Sequence, residues 1–153
     1  MGLDYICGTQ TKHTGMIDFE GSVPLPRLVK EERSRLERWI RRVAAGYGYT
    51  VGNIHYVLCD DEQEWAVNRQ FLGHDYYTDI ITFSYSTPTT LSGDIFISLD
   101  MVHDNARSLQ VDEEEELRRI LIHGVLHLTG QEDKTPDTRA EMTRKEDAAL
   151  DLW

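Results

Sequence analysis

Two histidines and an aspartate define the chemistry this chain can do. They lie in the stretch His123-Gly-Val-Leu-His127-Leu-Thr-Gly130-Gln-Glu-Asp133. Histidines four residues apart share one face of a helix, where neighbouring side chains come within about 5–6 Å. Both imidazoles can then reach one ion at roughly 2.0–2.1 Å. Gly130 follows three residues later, and glycine is the residue best able to take the left-handed backbone that ends a helix. The chain can turn back there and offer the carboxylate of Asp133 as a third ligand. Three protein ligands and one open position form the arrangement of a catalytic rather than a structural zinc.

A zinc ion with an open position lowers the pKa of its bound water to about 7 and polarises a carbonyl or phosphoryl oxygen. Those uses correspond to peptidases and phosphodiesterases. Zinc peptidases of the HExxH type carry a glutamate general base directly after the first histidine. Gly124 stands there in this chain, so the ligand spacing is present without the base and a peptidase is disfavoured. Asp133 also lowers the formal charge of the complex and relaxes the preference for zinc, which admits manganese or another divalent ion.

The elements that must position these ligands fit one domain. The chain has 153 residues, a length that buries about 68–70% of the unfolded surface and needs no disulfide or structural metal to fold. No run of 18 apolar residues marks a membrane span, and the first residues lack the basic and apolar blocks of a signal peptide. Cys7 and Cys59 are too few and too far apart for a disulfide framework; they read as free thiols in a reducing cytoplasm. The net charge of −11 weighs against generic nucleic-acid binding. Between Arg27 and Arg42, however, seven basic residues face three acids, a local basic segment on an acidic body.

Residues 1–15 carry little pattern and are expected to be a disordered extension, with Met16 the true start and 16–153 the single domain. Met16–Glu20 reads as a strand. Leu36, Trp39, Ile40, Val43 and Tyr47 recur at helical spacing over 30–47, and Gly46 and Gly48 stop that helix. Strands are expected at 54–59, 79–85 and 93–98, with helices at about 61–72, 99–109, 112–129 and 137–150. Asp112 with Glu115 resembles a capping box, and the acids at 112–116 suit a positive helix N-terminus. The order predicts an α/β (α+β) domain: a small mixed four-stranded sheet packed with about five helices. Leu117, Ile120, Leu121 and Leu128 make the histidine helix the central buried one.

With those residues in view, His123-Gly-x-Leu-His127-Leu-x-Gly130 closely resembles the HGxLHLxGxDH signature of the YbeY family, metal-dependent endoribonucleases of ribosomal RNA maturation. Thr78-Asp79-Ile-Ile-Thr-Phe83 resembles that family's T-D-V-L-S-F segment, and Gly93-Asp94-Ile95 its G-D-I strand. The likeness spans most of residues 16–150. It implies an α/β fold, a zinc cofactor held by His123, His127 and Asp133, and cleavage of single-stranded rRNA precursor near the 3′ end of small-subunit rRNA. It also implies partners in the small ribosomal subunit and its assembly proteins, with no membrane.

Two departures stand out. Asp133 occupies the position of a third histidine. Leu72 occupies that of an arginine, with Arg69 one helical turn earlier as a substitute. Arg35, Arg38 and Arg42 form a stripe that could contact RNA phosphates. Asp79 and Asp94 are expected to hydrogen-bond backbone near the cleft, while His55, His74 and His103 are given no function. Two alternatives are a zinc peptidase and a non-catalytic, metal-stabilised ribosome-assembly factor.

Overall fold

Strand β1 (Ile17–Gly21) opens the fold, and Pro24 and Pro26 then end extended chain and start helix. Pro26 precedes α1 (Arg27–Glu31), consistent with the fixed proline φ at a helix start. After α1 come α2 (Arg33–Gly46), β2 (Thr50–Cys59), α3 (Asp61–Leu72), β3 (Ile80–Ser84) and β4 (Thr90–Ser98). Helices α4 (Leu99–Leu109), α5 (Glu113–Leu128) and α6 (Pro136–Leu150) complete the chain. The computed structural model describes residues 15–72 and 78–153, apart from the side chains of Phe71 and Leu72. Residues 1–14 of the proposed extension, Cys7 among them, His74 and the leucine side chain at the arginine position therefore lie outside the described residues, while the Gly15 amide already donates to Val51 O at 3.2 Å.

The sheet runs β1-β2-β4-β3. β1, β2 and β4 are parallel, and β3 closes the edge antiparallel to β4 with Ile80 opposite Ile97. This is the mixed four-stranded sheet expected, with six helices among the described residues where about five were anticipated. The extra helix arises because the 30–47 segment is two helices broken at Glu32. Val29 and Leu36 stay seven apart across the break, so the apolar period runs through it unchanged. Glu32 at the junction takes ion pairs from Arg27 and Arg35. Strands β2 and β4 also start earlier than expected, because Thr50 and Val51 pair with Thr90 and Leu91 before the bulge at Val51–Ile54.

Helix α5 lies against β3, β4, α2, α4 and α6. Its anchors Leu117, Ile120, Leu121 and Leu128 are all buried, worth about 1.5–3 kcal/mol each against exposure. The buried Tyr56 hydroxyl of β2 donates to the Leu121 carbonyl at 2.9 Å, tying helix to sheet. Asp112 caps α5 by accepting from the amides of Glu114 and Glu115 at 3.1 and 3.3 Å. The cap is one-sided, since no bond returns from Glu115. A reciprocal capping box occurs instead at Thr135–Thr138, opening α6.

Gly124 explains how closely α5 meets the sheet. A Cβ there would come within 2.9 Å of Ile95 Cγ2, 3.0 Å of Ile95 Cδ1 and 3.1 Å of Ile80 Cδ1. Any side chain there must push Ile95 and Ile80 aside, so the position where a peptidase needs its glutamate is occupied by the sheet's own side chains.

Candidate metal centre

The end of α5 shapes the site. Gly130 has φ +97, and around it Gly130 N donates to His127 O at 2.9 Å while Gln131 N reaches back to Leu126 O at 3.2 Å. That pair of bonds is a Schellman motif, which reverses the chain just past His127. The reversal brings Asp133 against the histidines: its Oδ2 lies 3.2 Å from His123 Nε2 and 3.4 Å from His127 Nε2. The ligand atoms of all three residues fall within 4.8 Å of one another. Two ligands about 2.0–2.1 Å from a tetrahedral ion sit roughly 3.3–3.4 Å apart, so these separations suit a shared divalent ion.

The far side of each ring fixes its orientation. His123 Nδ1 hydrogen-bonds Glu146 Oε2 of α6, and His127 Nδ1 bonds the Gln131 carbonyl at 2.9 Å. Both acceptors call for N–H at Nδ1, which leaves the Nε2 lone pairs facing Asp133. A carboxylate or carbonyl behind a ligating histidine is the usual support of a metal site. Glu146 is held in turn: Arg119 donates to its Oε1 at 2.9 Å and to Asp147 at 2.7 Å. The Gln131 side chain donates to the Glu132 carbonyl, bracing the turn.

The electrostatics favour a cation. Burial pulls the His123 imidazole down, but Glu146, Asp133 and Asp79 outweigh it and the net shift is upward. His127 is held below its ordinary value by burial and by the neighbouring His123 charge. Burial pushes the Asp79 carboxyl up, while His123 and a hydrogen bond from Asn105 offset part of the rise. Without an ion, a proton on His123 is what the surrounding carboxylates attract; a divalent ion would replace it. The opening is on the aspartate side, where the Asp133 side chain is 33% exposed against 15% and 22% for the histidines.

Apart from Asp79, which acts on the His123 charge, the other residues singled out from the sequence lie elsewhere. The Arg69 guanidinium sits 5.2 Å over the Trp65 ring on α3 and makes no ion pair with the three site residues. Arg35, Arg38 and Arg42 line a recess with Trp39, Leu152 and Trp153 that the histidines do not enter. Asp94 accepts from the Tyr85 hydroxyl at 3.0 Å, whereas Asp79 accepts from the Asn105 amide at 3.2 Å and, as expected, from backbone, its own amide. His55 pairs with Asp18 and Glu20, and His103 with Glu113. Cys59 is a buried free cysteine, and burial next to Glu64 pushes its thiol up to about 12. Glu146 and Gln131 carried no local signal. Glu146 lies 23 residues from His123 inside an unremarkable charged helix.

Residues 27–153 match the family described as Endoribonuclease YbeY. The Endoribonuclease YbeY of Bacteroides thetaiotaomicron is 48% identical over 128 residues, covering 84% of this chain and 91% of that protein. That of Parabacteroides distasonis is 49% identical, covering 84% and 88%. The solution structure of TM1509 from Thermotoga maritima superposes with a TM-score of 0.66 at 28% identity, covering 90% of this chain and 88% of its own. No helix among the described residues is long and apolar enough to cross a membrane. With nearly half of the aligned residues identical and the fold shared, the chain belongs to the endoribonuclease YbeY family.

Proposed function

We propose that this protein is a metal-dependent endoribonuclease that cuts single-stranded precursor rRNA in the cytoplasm, near the 3′ end of small-subunit rRNA, in association with the assembling small ribosomal subunit. The observation that carries the metal dependence is the convergence of His123 Nε2, His127 Nε2 and one Asp133 oxygen, each histidine braced from behind. These three residues would hold the ion, with zinc the first candidate from two imidazoles and a carboxylate. When bound, such an ion supplies Lewis acidity toward a phosphoryl oxygen and a more acidic water. Glu146 and the Gln131 carbonyl keep the imidazoles aimed, and the Schellman turn at Gly130 keeps Asp133 in reach. The missing side chain at Gly124, enforced by Ile95 and Ile80, argues for phosphodiester over peptide chemistry.

The test is cleavage of single-stranded RNA and of casein by zinc-loaded protein, with and without chelator, beside His123→Ala. Internal cutting of RNA alone, lost in chelator and in the variant, is expected. Cutting that survives both, or cleavage of casein, contradicts the reading. Salt-sensitive RNA binding without turnover in zinc-loaded protein would point to the assembly-factor alternative, which Leu72 at the arginine position favours.

A further inference from the structure

A second charged feature lies on another face. Arg35, Arg38 and Arg42 rise along α2 at helical spacing and rim a recess of about 370 Å³ whose other walls are Trp39, Leu152 and Trp153. The recess contains no acidic residue. Arg35 is committed: it lies 4.0 Å over the Trp153 ring, donates to the Trp153 backbone oxygen at 2.6 Å and pairs with Glu32. Arg38 and Arg42 are exposed and make no ion pair or hydrogen bond among the described residues. Arg118 of α5 adds a fourth guanidinium 5.1 Å over Trp153, with its Nε buried and unpartnered. Trp39 meets Trp153 edge-on at 5.3 Å and donates to the Ala149 carbonyl at 2.8 Å, so the floor is fixed.

Like charges three or four residues apart on a helix oppose its formation by about 0.2–0.5 kcal/mol per pair. Here Glu32 offsets Arg35, but no ion pair among the described residues offsets Arg38 or Arg42, although the chain as a whole carries −11. From Arg35 to Arg42 is about 10.5 Å along the helix axis, longer than one phosphate group. A chain of phosphates matches that spread better than a single anion does.

The recess and the metal centre are built on the same two helices, α5 and α6. Arg118 precedes His123 by five residues on α5, about 7.5 Å of helix rise. Helix α6 serves both places, through Glu146 at His123 and Ala149 at Trp39.

We propose that the recess rimmed by Arg35, Arg38 and Arg42 is a second RNA site, which grips the phosphate backbone of a single strand whose scissile region lies at the His123–His127–Asp133 cluster. It rests on the reading of RNA as substrate and adds where the strand outside the cleavage site is held.

The experiment measures binding of a labelled oligouridylate, long enough to span both places, to the full chain in chelator across a salt series. Arg38→Gln with Arg42→Gln is compared with Arg107→Gln with Arg144→Gln, exposed arginines outside the recess that give the same charge change. Each phosphate contact on a single strand contributes a slope of roughly 0.7 in log K against log salt. Loss of two should lower the slope by about 1.4 and weaken binding about 25-fold at 0.1 M salt, while the second pair leaves the slope intact. An unchanged slope in the first variant, or equal losses in both, overturns the proposal. If zinc-loaded wild type fails to cut RNA yet binding drops as stated, the second site stands and the nuclease reading falls. If RNA is cut and the first variant binds like wild type, the second site alone falls.

Discussion

Replacing Glu146 by glutamine should weaken metal binding about 10- to 100-fold, although residue 146 ligates nothing. Glu146 is nearly buried, with its side chain 9% exposed, and its two oxygens serve two donors: Oε2 accepts from His123 Nδ1 and Oε1 from Arg119. Glutamine keeps the shape but has one acceptor and one amide. If the amide faces Arg119, two donors oppose each other beside a guanidinium. If it faces His123, Nδ1 must become the acceptor, the proton moves to Nε2, and the ligand lone pair is lost. Either arrangement removes part of what aims His123. Losing a supporting partner of this kind costs 10- to 100-fold in metal affinity, which is about 1.4–2.8 kcal/mol. The assay is competition for zinc against a chromophoric chelator at fixed pH, with urea unfolding of the metal-free proteins beside it. Asp147→Asn is the control, because Asp147 also binds Arg119 but is 60% exposed; its pair is worth about 0–1 kcal/mol. Zinc affinity of Glu146→Gln within twofold of wild type would refute the reasoning that Glu146 orients a ligand.

Gly130→Ala should cost about 1–2 kcal/mol in a urea titration, because an L side chain is forced to φ +97 where nothing else obstructs it; Gly130→Asn should cost less. Zinc affinity should fall in the same order, since this turn carries Asp133. Gly124→Ala gains up to about 1 kcal/mol of helix propensity but overpacks against Ile95 and Ile80 at about 1–3 kcal/mol. A net loss near 1 kcal/mol is expected, and a midpoint equal to or above wild type would contradict it. Glu64 is fully buried, and the Thr78 and Ser98 backbone amides near its carboxyl offset only part of the burial cost. Burial, then the Asp79 charge, pushes its carboxyl up to about 8. The folded state therefore holds a proton that the unfolded chain releases near 4.5, and the stability it contributes is full below that pH and is lost as pH rises toward 8. Glu64→Gln should remove this decline, seen as urea midpoints at pH 5 and pH 8 that differ less than in wild type.

What could be read in the sequence was local. His123, His127, Gly130 and Asp133 lie within eleven residues, and helical spacing with one glycine turn is enough to join them. The anchors of α5 were visible because they repeat at the helical period, and β3 because Ile80, Ile81 and Phe83 favour extended chain. The break at Glu32 was hidden, since a one-residue interruption leaves the apolar phase between Val29 and Leu36 intact. The first turns of β2 and β4 were hidden because Thr50 and Thr90 are strand residues only through each other. Glu146 could not be assigned at all. Its role comes from α6 folding back onto α5, a contact no spacing within one segment encodes. Gly124 was readable only as an absent base, while its positive reason, contact with Ile95, belongs to the sheet.

The central claim is that His123, His127 and Asp133 hold an ion. Its most direct test is elemental analysis of protein purified without chelator, beside His123→Ala. About one zinc per chain in the wild type, lost in the variant, is the result this structure predicts. No divalent metal in either protein, or equal metal in both, would contradict it.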